Sequence, residues 1–155
     1  MGAKFSSGPV VTDLVPLSAW SIDKVEGCFN SFRKDADNPF FVTRADYRRV
    51  FDVTKNLDKQ FKHLDPARRG RVSAFLLFGA IALMADSRPE AKLRFMLSMI
   101  DLDYSRFLNR CEVVMVMRSA SLGLARAKGK EPPSVKRLEG LVWKAMSAGG
   151  VSLNA

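Results

Sequence analysis

Asp101-Leu102-Asp103-Tyr104-Ser105-Arg106-Phe107-Leu108-Asn109-Arg110-Cys111-Glu112 is the stretch on which the reading of the chain turns. Its oxygen-bearing side chains fall on the first, third, fifth, ninth and twelfth residues: Asp101, Asp103, Ser105, Asn109 and Glu112. A loop with this spacing turns alternate side chains toward one point, and the main-chain carbonyl of its seventh residue, Phe107, joins them. A hard cation such as calcium takes roughly six to eight oxygens at short range, so these residues are a candidate ligand set. Glu112 offers two oxygens. The sixth residue departs from the pattern, because the sharp turn there favours glycine and Arg106 stands in its place.

The flanks agree with a loop held between two helices. Leu93, Met96, Leu97 and Ile100 precede it on one helical face, and Val113, Val116 and Met117 follow it on another. With Lys92-Leu93-Arg94-Phe95 leading in, the stretch resembles an EF-hand, most closely the third hand of calcineurin B and the neuronal calcium sensors. The resemblance implies an all-α fold of paired helix-loop-helix units, with short β pairing between the loops of a pair. It also implies a calcium site on Asp101, Asp103, Ser105, Phe107, Asn109 and Glu112, weak because of Arg106.

Outward from this loop the frame repeats with less chemistry. Residues 1–17 read as a tail, broken by Pro9 and Pro16. A helix capped by Ser18 or Ser21 runs to about Phe32, with Val25, Cys28, Phe29 and Phe32 on one face. The loop after it contains Asp35 and Asp37, is about two residues too long for the calcium pattern, and ends at Asp46. Tyr47, Val50 and Phe51 carry the outgoing face. Leu57, Phe61 and Leu64 then lead into a loop from Asp65 to Leu76. Gly70 takes its turn position and Val72 its strand position, while Ala67, Arg69 and Leu76 replace ligands. Residues 18–86 thus read as a degenerate pair of hands. Ser87-Arg88-Pro89-Glu90 separates them from a second pair over 87–155. There, Gly123 to Pro133 reads as a basic connection. Ser134 caps a helix with Leu138, Leu141, Val142 and Met146 on one face. Residues 149–155 read as part of a fourth loop, so the fourth hand is incomplete.

Composition narrows the function. The chain has 155 residues, 47% hydrophobic and 26% charged, which suits a globular protein. No apolar run approaches the ~20 residues of a membrane helix, and no cleavable secretion signal is evident. Cys28 and Cys111 read as free thiols of a reduced, cytoplasmic protein. The sole histidine, His63, leaves no histidine-based triad to assemble with other groups, and no phosphate-binding glycine loop, HExxH or CxxC occurs. We therefore expect no enzyme.

The net charge of +9 points to an acidic partner. No nucleic-acid recognition motif accompanies it, so a protein or an anionic membrane is expected instead. Met1-Gly2-Ala3-Lys4-Phe5-Ser6 matches the N-myristoylation pattern, with Gly2 as acceptor. One acyl chain binds a membrane only marginally, and the basic surface would supply the second attraction. The expected function is a regulatory or adaptor protein whose apolar groove, lined by Phe29, Phe51, Phe78, Met96, Met99 and Met117, takes an amphipathic helix. The alternative is a calcium-independent structural protein docking by its basic face on an acidic assembly such as a cytoskeletal polymer. The two readings place the protein on a membrane periphery or on the cytoskeleton, respectively.

Overall fold

A computed structural model of the chain describes residues 19–52, 57–101 and 105–149. The tail with Gly2, the ligand candidate Asp103 and the expected fourth loop beyond residue 149 lie outside these residues. The described chain is mostly helical, with one two-stranded antiparallel sheet. In order it runs α1 (Ile22–Asp35), β1 (Phe41–Thr43), α2 (Arg44–Phe51), α3 (Leu57–Leu64), β2 (Arg71–Ser73), α4 (Ala74–Met84), α5 (Pro89–Ser98), α6 (Arg110–Lys128) and α7 (Val135–Gly149).

Local chemistry explains where the helices start. The Ser21 hydroxyl accepts from the Lys24 amide at the head of α1, and the Ser134 hydroxyl from the Arg137 amide at the head of α7. Asp23 in the first turn of α1 and Arg33 and Lys34 in its last suit the helix dipole. Pro89 opens α5, where a missing N–H costs nothing. α4 is apolar on all sides and is buried from Ala74 to Ala82 apart from the half-buried Phe75.

The strands pair Phe41 with Ser73, Val42 with Val72 and Thr43 with Arg71. Val42 and Val72 point inward and are buried, while Phe41 and Arg71 face out, the guanidinium 4.6 Å from the ring centre. This ribbon fixes the loops before α2 and before α4 side by side. The core beneath is rich in aromatic side chains. Phe29 meets Phe78 edge-on at 5.1 Å and Phe95 at 5.8 Å, and Tyr47 lies 4.9 Å from Phe51. Tyr47 is buried but its hydroxyl reaches Gln60 Oε1 at 3.1 Å. Residues from Ile22 to Val142 share one buried cluster, so all the helices except α7's exposed face pack on a common centre.

α6 differs from the sequence expectation. It continues through Gly123 to Lys128 instead of breaking there. Gly123 is needed because α6 lies against α4: a side-chain carbon on it would overlap the Leu76 carbonyl oxygen and come within 2.9 Å of Ala80 Cβ. One on Gly79 would lie 2.7 Å from Ala120 Cβ. The connection to α7 begins at Gly129, whose φ of 60° ends the helix. Two apolar residues assigned to buried faces, Leu93 and Leu141, are exposed. Phe95 fills the place on α5 that Leu93 was expected to share, by packing on Phe29.

A candidate metal centre and an adjoining groove

Two loops close in the same way. In the loop before β2, the buried Asp65 carboxylate accepts from the amides of Arg69 (3.0 Å) and Gly70 (2.7 Å). In the loop before α6, the buried Asp101 carboxylate accepts from the amide of Arg106 at 3.1 Å. In each case the first residue of the loop folds back to the sixth. The sixth has a left-handed backbone in both, with φ of 73° at Gly70 and 61° at Arg106. Glycine takes that conformation freely; an L side chain pays roughly 1–2 kcal/mol for it.

Further donors gather around Asp101. The Ser105 hydroxyl lies 3.5 Å from Asp101 Oδ1 and 3.2 Å from the Phe107 carbonyl oxygen. Three candidate ligands from the first, fifth and seventh positions are thus already within reach of one another, an oxygen-only set of the kind a hard cation takes. Phe107 itself is 76% exposed, and its carbonyl oxygen faces the Ser105 hydroxyl. The other two described candidates are occupied with the helix start. The Asn109 side-chain oxygen accepts from the Glu112 amide (3.0 Å), and Glu112 Oε2 accepts from the Asn109 amide (2.8 Å). This is a capping box, which satisfies two amides that no helix carbonyl can reach. Among the described residues no three His, Cys, Asp or Glu side chains cluster as a metal site. Asp103 is outside them.

The same box recurs at the head of α2. Thr43 Oγ1 accepts from the Asp46 amide at 3.2 Å, and Asp46 Oδ2 accepts from the Thr43 amide at 3.0 Å and its hydroxyl at 2.6 Å. Arg49 Nη2 sits 3.1 Å from Asp46 Oδ1. Burial works to raise the Asp46 pKa, but the Thr43 hydrogen bonds and Arg49 outweigh it and hold the carboxyl below its usual value. Ser73 occupies the equivalent place before α4 and makes no side-chain cap, and Leu76 at the acid's position has no oxygen to return to the Ser73 amide. Thus the spacing that marks Asn109 and Glu112 as ligands is equally the spacing of a capping box. The repeat at Thr43 and Asp46 was the legible signal of that second role.

The apolar residues expected to line a groove are mostly inside the protein. Phe29, Phe78, Met96 and Met99 are buried, and Phe51 and Met117 are half-buried against the same cluster. They form the core because the aromatic contacts around Phe78 close over them. A groove exists elsewhere. It has a volume of about 700 Å³ and runs along α6, with the start of α4 on one side and α7 on the other. Cys111 lines it and is exposed. Cys28 lies outside it, and burial pushes its thiol pKa up against the lowering effect of Lys24.

No protein-family model matches this chain, and no match was found among curated proteins. The geometry therefore carries the functional reading. Among the described residues no helix is long and apolar enough to cross a membrane.

Proposed function

We propose that the chain is an adaptor of the EF-hand type, with a degenerate first pair of hands, a second pair whose fourth hand is incomplete, one weak calcium loop and a protein-binding role in the cytoplasm. The observation that carries this is the shared closure of Asp65 on Gly70 and of Asp101 on Arg106, beside strands that pair Val42 with Val72. Two loops of unrelated sequence with one closure, each lying between two helices, are what a repeated helix-loop-helix unit requires, and the short ribbon is what would join the loops of the first pair. Calcium would be held by Asp101, Asp103, Ser105, the Phe107 carbonyl, Asn109 and Glu112. A bound cation supplies no reaction here; it would draw Glu112 from the Asn109 amide and tighten the loop. With Arg106 strained, the affinity is on the order of 10⁻⁵ M or weaker.

Calorimetric and NMR titration with calcium, beside magnesium, tests the reading. Calcium should shift the amides of the loop and magnesium should do so less. Glu112→Gln should abolish the shift and Arg106→Gly should tighten it. A parent silent at millimolar calcium, with Arg106→Gly also silent, would leave the second reading: a calcium-independent scaffold using the same fold. That reading draws on the engagement of Glu112 in its capping box and on the charge of +9. It predicts docking on an acidic assembly by exposed residues such as Arg48, Lys128 and Lys130.

A further inference from the structure

We propose that the groove along α6 receives a short amphipathic helix of an acidic partner protein. The proposal deepens the adaptor reading and rests on it. The floor of the groove is one face of α6, where Cys111, Met115, Arg118 and Leu122 follow at helical spacing. Ser73 and Leu76 form one wall, and Val135 and Glu139 on α7 the other. From Cys111 to Leu122 the floor is about 16 Å long at 1.5 Å per residue, which matches about three turns of a partner helix. A trough walled on both sides suits the convex face of a helix better than the plane of a bilayer. Met115 is 45% exposed on the floor, and a methionine there can repack around the side chains it meets.

The charge around the groove selects the partner. Arg110 and Arg118 line it against Glu139 alone, and neither arginine forms an ion pair among the described residues. Arg110 is held in place by stacking 4.6 Å over the exposed Trp143 ring. An apolar stripe flanked by carboxylates therefore complements the groove: leucine-like side chains against Met115 and Leu122, acids on Arg110 and Arg118. Like charges would face each other if the partner were basic.

The full chain, a synthetic peptide and thiol alkylation provide the test. The probe is a helix of about 14 residues with leucines at helical spacing and glutamates elsewhere, and the control replaces every glutamate with lysine. The glutamate peptide should slow alkylation of Cys111 and leave Cys28 unchanged, while the lysine peptide protects neither. Arg118→Glu should weaken the glutamate peptide about tenfold and admit the lysine peptide. Met115→Asp should remove protection; both variants are at exposed positions, and a parental thermal melt verifies their folding. Equal affinity for both peptides, no protection of Cys111, or protection only by phosphatidylserine vesicles would overturn the proposal. The calcium titration reads the loop and the alkylation reads the groove. Loss of peptide binding with calcium binding intact removes this inference alone, whereas calcium silence with Cys111 still protected removes the calcium loop from the adaptor reading and leaves the groove.

Discussion

Arg106 and Gly70 meet the same conformational demand with opposite means, and the difference is measurable without any metal. Arg106→Gly should raise the unfolding free energy by about 1 kcal/mol, as relief of the left-handed backbone exceeds the extra freedom glycine gives the unfolded chain. Chemical denaturation checks this. Asp46 gives the second prediction at this scale. Its carboxyl pKa is lower in the folded chain than in the unfolded one. The ionised group therefore adds stability above the unfolded value, and that contribution is lost as pH falls through the lower, folded value. Asp46→Asn, which keeps an amide oxygen but loses the charge, should cost about 0.5–1.5 kcal/mol at neutral pH, the usual net worth of a hydrogen bond. The gap between parent and variant should close below about pH 4, where carboxylates protonate. Denaturation curves across that range would show it, and a gap independent of pH would refute the charge argument.

Single elements were legible to the extent that their own residues determine them. The faces of α1 and α2, the proline at the head of α5 and the Ser134 cap of α7 are local chemistry, and each stands where spacing places it. Gly123 was not legible. A glycine before a basic segment looks like a break, and only the approach of α4 reveals a helix that must be thin at that point. Leu93 and Leu141 show the matching limit, since periodicity gives an apolar stripe but not the width its neighbour covers. At the candidate metal centre, Asp101 and Ser105 come together with the Phe107 carbonyl. Asn109 and Glu112 turn to the helix start instead, because free amides compete for the same oxygens. Gly123→Val tests the close approach. Overpacking between α4 and α6 should cost about 1–3 kcal/mol or more, read as a lower melting temperature, with Gly140→Ala on open α7 as a tolerated control.

The described helices share one buried cluster, so melting followed by circular dichroism and by tryptophan fluorescence should give one coincident transition. Its charge of +9 should make binding to anionic vesicles fall as salt rises, since screening reaches ~8 Å at physiological ionic strength. In a eukaryotic host, intact mass should show one myristoyl group on the parent and none on Gly2→Ala, which should leave the membrane fraction. An unmodified parent would remove lipidation from the reading. α6 runs from the capping box at Asn109 to its last turn, where the guanidinium of Arg126 donates to the Leu64 carbonyl at 3.0 Å. Leu64 directly precedes Asp65, so the far end of α6 touches the head of the other loop. Near its middle, Ala120 and Gly123 rest on α4. The helix is thus a single strut: it joins the loop that opens at Asp101 to the loop that opens at Asp65, with α4 packed against it between the two.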